Sequence, residues 1–246
     1  MHSNLIILVS GKILNVRINT IEQLFIYIHG TIYELKEKES RIPNISLQSN
    51  MRSYVIHLSS AIEREPSIKR LLQDIPNLIV FPAVATPPEY DGPARCTLSH
   101  LAILKEFLLE TKDNEVLILE DDCLFKDYKG AMSFLANAPE ADVYYLGLCE
   151  YVDYEVQDKY IYATRAWGMH SYVINRRAAR AMIYAYEELD PLLKLSIPPD
   201  WLLHHATEQI DLICIGPCKT DQYTEQDPTL LSILSGILNK DRLPLR

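Results

Sequence analysis

From Tyr54 onward, short apolar runs alternate with stretches of helical periodicity, and this alternation limits the possible folds more than any other feature. YVIHL (54–58), LIVFPAV (78–84), VLIL (116–119), VYYLGL (143–148), YIYAT (160–164), SYVIN (171–175) and DLICIG (211–216) read as strands. Between them lie helical patterns. One follows Pro66, with Ile68, Leu71, Leu72 and Ile75 on one face. Another is TLSHLAILKEFLLE, with Leu98, Leu101, Leu104 and Leu108 in register. A helix through AMSFLAN follows, then RRAARAMIYAYEEL, with Ala179, Met182, Ile183 and Tyr186 inward and Asn175 placed as its N-cap. TPPEYDGPA reads as a loop, and IPPDWLLHHA as a loop entering a short helix. Strands alternating with helices predict an α/β fold: a mostly parallel sheet with helices on both faces.

Residues 1–50 follow a different rule. NLIILVSGKILNVRINTIEQLFIYIHGTIYELKE is rich in Ile, Leu, Val and Tyr, with SGK and HGT as turns. It reads as three or four strands in hairpins, a β-rich appendage. The charged break KEKESRIPN sets a boundary near residue 50, giving domains 1–50 and 51–246. The tail TLLSILSGILNKDRLPLR reads as an amphipathic helix carrying Lys240, Arg242 and Arg246. It suits a core or dimer contact, or a membrane surface.

A net charge of −9 over 246 residues disfavours a partner bound through phosphate neutralisation, such as nucleic acid. No apolar run reaches the roughly 18 residues that span a bilayer. The start has a short apolar core and no basic leader, and the five cysteines are scattered, which suits reduced thiols in a cytoplasmic setting.

The apolar run VLIL ends on Glu120, Asp121 and Asp122. Ligands of parallel α/β sheets bind beyond the carboxyl ends of strands, and three anions there repel unless something neutralises them. A hard divalent cation, Mn²⁺ or Mg²⁺, does so with oxygen ligands and substrate phosphates. Residues at i and i+2 of an extended chain face the same way, so Glu120 and Asp122 can share a site. Acids opening a solvated loop or capping a helix are the plainer alternative.

Several segments occur in the order seen in a known family. YVIHLSSAIERE, RCTLSHLAILKE, VLILEDDCLF, WGMHSYVINRRAARAM, PPDWLL and GPCKTDQ resemble the successive motifs of glycosyltransferase family 25, over residues 53 to 225. That family includes lipopolysaccharide sugar transferases and collagen galactosyltransferases. The resemblance implies a GT-A-like fold and inverting transfer from a nucleotide sugar, usually a UDP-sugar, with Mn²⁺. The acceptor would be a hydroxyl on a glycan or a protein. His57, Arg95 and Asn175 depart from the family pattern, which has Asn, Gly and Ser at those positions.

On this reading Asp122 is the first metal ligand, with Glu120 or Asp121 assisting. Ser59 and Arg64 follow the first strand to the same edge, where Arg64 can pair with a phosphate. Ser99 and His100 are placed at the opening of a helix, where free N–H groups favour anions. Asp200 is the candidate general base, with Glu150 and Asp153 next, in a segment able to line the acceptor site. Trp201 can stack on a sugar. His170, His204 and His205 are further candidate metal ligands, and Gln222 matches the family's late glutamine. Two other classes fit the acids: a metal-dependent phosphoesterase or nuclease, and an inactive GT-A domain serving as a binding module.

Overall fold

A computed structural model describes residues 3–9, 12–18, 51–85 and 89–226. The chain divides into two compact units, Met1–Asn44 and Ile45–Arg246. In the first, strands β1 (Ser3–Val9) and β2 (Lys12–Ile18) form an antiparallel hairpin. The further strands read between residues 19 and 50, and the helix read in the tail, lie outside the described residues.

The second unit is built on an eight-stranded mixed sheet. Its strands are β3 (Arg52–His57), β4 (Leu78–Pro82), β5 (Glu115–Glu120), β7 (Val143–Gly147), β8 (Glu150–Gln157), β9 (Tyr160–Trp167), β10 (Ser171–Asn175) and β11 (Cys214–Pro217). They are ordered β4-β3-β5-β10-β7-β11-β9-β8. The pairings β3–β4, β3–β5 and β7–β11 are parallel; those made by β10, and by β9 with its two neighbours, are antiparallel. Six strands therefore run one way, and only β9 and β10 oppose them. A small pair, β6 (Cys123–Phe125) with β12 (Thr224–Gln226), lies beside this sheet in sequence but forms a separate ladder.

Both faces are covered because the central strands are apolar on both. Alternate residues point to opposite sides of a strand. Tyr54, Ile56, Val116, Ile118, Tyr172 and Ile174 join one core with helices α2 (Gly92–Glu110), α4 (Arg176–Glu188) and α6 (Pro199–Ile210). Val55, Leu117, Leu119, Tyr144, Leu146 and Val173 join the other, with α1 (Glu65–Asp74) and α3 (Tyr128–Asn137). A short turn of helix, α5 (Pro191–Lys194), precedes α6. The mostly parallel α/β sheet with helices on both faces is thus observed. Leu72 is an exception to the expected buried face of α1, being 45 % exposed.

β8 is the strand that the sequence concealed. EYVDYEVQ lies at the sheet edge with most side chains in water, so it lacks the apolar run of a central strand. Glu150 and Asp153 accordingly stand on an edge strand.

The helix ends are held by side chains. Asn175 caps α4, accepting a hydrogen bond from Ala178 N at 2.9 Å while donating to Asp142 Oδ1 at 2.9 Å. Arg176 donates to the last carbonyls of α2, Phe107 (3.2 Å) and Leu108 (2.6 Å), and to Thr111 (3.3 Å). These groups have no partner within their own helix. Asn175→Ala removes the cap and one buried bond. We expect a loss of about 1–2 kcal/mol in urea unfolding, and an unchanged midpoint would refute the cap's contribution.

Candidate active site

Strand β5 delivers the acids. Glu120 is its last residue, and Asp121 and Asp122 form the turn into β6. Parallel pairing places Ile56 opposite Glu120, so the segment after β3 runs alongside the acids.

Asp121 is fully engaged by this segment. Its Oδ1 pairs with Arg64 Nη1, and its Oδ2 lies 2.9 Å from His57 Nδ1 and accepts from Leu58 N at 3.4 Å. Arg64, expected on a donor phosphate, is here committed to Asp121. Asp121 is correspondingly less free to hold a metal than its neighbours. Ser59 lies exposed in the turn after β3.

Asp122 is the odd member. It is 3 % exposed, yet its Oδ1 has no hydrogen-bond partner among the described residues. Burial first, then the charge of Glu120, pushes its carboxyl up to about 7, against the opposing pull of Arg64. Glu120 behaves in the opposite way. Burial would raise it, but the hydrogen bond and charge of His100 hold it below the ordinary range. Glu120 Oε1 lies 3.3 Å from His100 Nε2 and 3.4 Å from Cys96 Sγ.

His100 and Ser99 do not open a helix. Helix α2 begins at Gly92, capped by Asp91, whose side chain accepts from Ala94 N at 2.9 Å. The stretch read as loop contains an Asp followed by Pro93 in the first turn, itself a helix-start signal. Ser99 therefore sits mid-helix, accepting from Val84 N (2.8 Å) and donating to Arg95 O (2.9 Å). That structural role replaces the anion contact expected of it. Thr97 likewise donates to Ile197 O at 2.6 Å, tying α2 to the segment before α6.

His170 comes from the β9–β10 turn. Its Nδ1 donates to Gly168 O (3.0 Å), which leaves Nε2 to accept from Thr224 Oγ1 (3.2 Å) as a neutral imidazole. Burial lowers its pKa, in keeping with this. Thr224 also shares a short hydrogen bond with Ser171. Gly147 leaves room for this group: a Cβ there would stand 2.7 Å from His170 Nε2 and would overlap the Thr224 hydroxyl.

Asp200 lies in the first turn of α6, where Pro198 occupies the N-cap position. Its Oδ2 accepts from Gly168 N and its Oδ1 from Trp201 N, each at 2.9 Å. Gly168 adopts φ +65° and packs so closely on Cys149 that a side chain there would collide with the sulfur. The β9–β10 turn thus carries both His170 and the peptide that holds Asp200. Burial raises the Asp200 carboxyl, and the charge of Glu120 raises it further, so the two acids sense one another. Trp201 is 51 % exposed and lies 5.3 Å, centroid to centroid, from Trp167.

The remaining candidates lie apart in their contacts. Asp153 is exposed and paired with Arg165 at 2.9 Å, and it lines a groove of about 640 Å³ with Tyr154 and Tyr162. Glu150 is exposed at the start of β8. Gln222 Oε1 accepts from Leu148 N at 3.3 Å, just beyond β7. His204 faces Thr164 O (3.1 Å) and Glu208 (3.6 Å), and His205 faces Gln209 (3.3 Å), so neither joins the acids. Sequence reasoning passed over Cys96 and the His57 contact. Cys96 and His100 stand four apart, a spacing that places both on one helix face; that signal was present.

Several solved structures are distantly similar. A197 from STIV is 13 % identical, covering 69 % of this chain and 83 % of its own, at TM-score 0.41. A glycosyltransferase involved in glycosylating the major capsid of PBCV-1 is 10 % identical, covering 68 % and 92 %, at 0.37. The inositol-1-phosphate CTP transferase from T. maritima is 11 % identical, covering 80 % and 100 %, at 0.37. At these scores no assignment is built on them. No curated protein matches the chain. No helix among the described residues is long and apolar enough to cross a membrane. Cys96, His100, the three acids and Asp200 all fall within residues 90–202, and that stretch matches the sequence model of glycosyltransferase family 25 (LPS biosynthesis protein).

Proposed function

We propose that this glycosyltransferase moves a sugar from a nucleotide donor, a UDP-sugar, to a hydroxyl on a glycan or protein, with inversion, and that it depends on a divalent cation. The observation that carries the proposal is the buried, unpartnered oxygen of Asp122, set among two further carboxylates at a strand end. Such an arrangement is costly for a bare protein and suits an oxygen-coordinated ion. Asp122 would hold Mn²⁺ or Mg²⁺ with Glu120, whereas Asp121 keeps Arg64 and His57 in place. When bound, the ion would offset the charge that develops on the departing nucleoside diphosphate.

The chain's own residues supply the rest. Asp200 accepts the proton of the acceptor hydroxyl as its oxygen attacks the anomeric carbon, and the bond from that carbon to the diphosphate breaks. A carboxyl raised above its ordinary range is a better base near neutrality. The peptide N–H groups of Gly168 and Trp201 fix its direction. The exposed Trp201 face, braced by Trp167, offers a stacking surface to a sugar ring.

A panel of nucleotide sugars, each with and without Mn²⁺, tests this by thermal shift and by release of free nucleotide. At a hundred times its Kd, a ligand stabilises by about 2.7 kcal/mol, or roughly 5–10 °C for a unit of this size. We expect a shift of that order for one donor in the presence of Mn²⁺, with slow release of UDP. Absence of any metal-dependent shift across the panel would remove the metal, and hydrolysis of simple phosphodiesters in its place would favour a phosphoesterase.

A further inference from the structure

We infer that Cys96, His100 and Glu120 form a second metal site, one that takes a thiophilic divalent ion such as Zn²⁺. Among the described residues this is the one group of His, Cys and carboxylate side chains whose ligand atoms all lie within 4.8 Å of one another. The inference shares Glu120 with the proposed Mn²⁺ site but rests on its own geometry and does not require sugar transfer.

Two of the distances match the edges of a tetrahedral ion's ligand shell. With Zn–S about 2.3 Å and Zn–N and Zn–O about 2.0 Å, tetrahedral angles set the S···O edge near 3.5 Å and the N···O edge near 3.3 Å. The observed separations are 3.4 Å for Cys96 Sγ to Glu120 Oε1 and 3.3 Å for His100 Nε2 to the same oxygen. Those two edges fit a small tetrahedral ion, and the third pair, Cys96 Sγ and His100 Nε2, lies within 4.8 Å.

The supports of the site point the same way. Cys96 and His100 lie four apart on helix α2, so the helix itself fixes their relative position. His100 Nδ1 lies 2.8 Å from the hydroxyl of the fully buried Tyr172. A ligating histidine commonly commits its second nitrogen in this way, which sets the ring and turns the other lone pair toward the ion. Three protein ligands leave a fourth position. Cys96 is partly accessible and the Glu120 side chain is 23 % exposed, so that position opens to solvent. Such an open site is of the catalytic kind rather than the closed structural kind.

The two sites have different chemistry. Asp122 offers hard oxygen, while Cys96 and His100 offer softer sulfur and nitrogen, with Glu120 between them. Cobalt reads the second site without an activity assay, because a thiolate ligand gives Co²⁺ a near-ultraviolet charge-transfer band. We expect metal-free protein titrated with Co²⁺ to develop that band at one equivalent, and Zn²⁺ to erase it. Cys96→Ser should lack the band, His100→Ala should weaken Co²⁺ binding at least tenfold, and Asp122→Asn should keep the band while losing the Mn²⁺ thermal shift. No band in the wild-type protein would overturn the site, whatever the variants do. A band retained in Cys96→Ser and lost in Cys149→Ser would overturn it equally. Failure of the Mn²⁺ response alone would leave the cobalt result standing, so the two readings fall separately.

Discussion

Asp122→Asn should abolish the Mn²⁺-dependent thermal shift, reduce turnover at least a thousandfold, and make the metal-free protein more stable above pH 7. The first two outcomes follow from the loss of a buried carboxylate oxygen that has no hydrogen-bond partner among the described residues. The third follows from linkage. The Asp122 carboxyl is pushed up to about 7 from 3.8, chiefly by burial. A folded-state pKa above the unfolded value means the folded protein binds the proton more tightly. That favours folding fully below about pH 4, and the advantage drains away as pH rises from about 4 to about 7. Three pKa units at 1.36 kcal/mol each amount to roughly 4 kcal/mol, an order-of-magnitude figure for a carboxylate this buried. An asparagine has no charge to bury and escapes the loss. Urea midpoints in the presence of chelator at pH 5 and pH 8 check this: the wild type should fall between the two pH values by more than the variant. Parallel pH profiles for the two proteins would mean that Asp122 is not strained by its charge, and would weaken its claim to a metal.

Asp200→Asn should leave donor binding within a few-fold and slow nucleotide release by about 10²–10⁴-fold, the usual contribution of a general base. The substitution costs one hydrogen bond, because the amide NH2 cannot accept from Trp201 N as Oδ1 does at 2.9 Å. Asparagine keeps a carbonyl oxygen able to accept from Gly168 N at the position that Oδ2 fills at 2.9 Å. What disappears is the capacity to take a proton. In the wild type, burial raises the Asp200 carboxyl, so its ionised, proton-accepting form is lost as pH falls through that raised value. The acid limb of the pH–rate profile should therefore vanish or move in the variant. Glu150→Gln and Asp153→Asn serve as comparisons, since both acids are exposed on an edge strand and Asp153 already pairs with Arg165. Normal turnover in Asp200→Asn with loss in Glu150→Gln would transfer the base to β8.

The legible parts of this protein are those governed by local pattern. Strands β3, β5, β7 and β10 are buried on both faces, so each appears as an unbroken apolar run. Asn175 was readable as a cap because an amide side chain before a helical pattern satisfies free N–H groups wherever it occurs. The acids of 120–122 stood out for the opposite reason: charge at the end of a buried strand conflicts with its surroundings and asks for a partner. Local pattern also misled. The prolines and glycine before Cys96 suggested loop, and so Ser99 and His100 were assigned a helix terminus that lies seven residues upstream, at Gly92.

The amino-acid order, read alone, settled which segments become strands and helices, and which acids must sit at a strand end, because those outcomes depend on neighbours a few positions away. It could not show that Asp121 is taken by Arg64, 57 positions earlier, while Oδ1 of Asp122 has no hydrogen-bond partner among the described residues. Nor could it show that Cys96 and His100 meet Glu120, or that one turn after β9 carries both His170 and the peptide that orients Asp200. Those relations exist only once β3 and β5 pair in parallel and helices α2 and α6 settle on the sheet. Burial then removes the water that would otherwise screen the charges, and each carboxylate acquires its own character from what stands within a few ångströms of it.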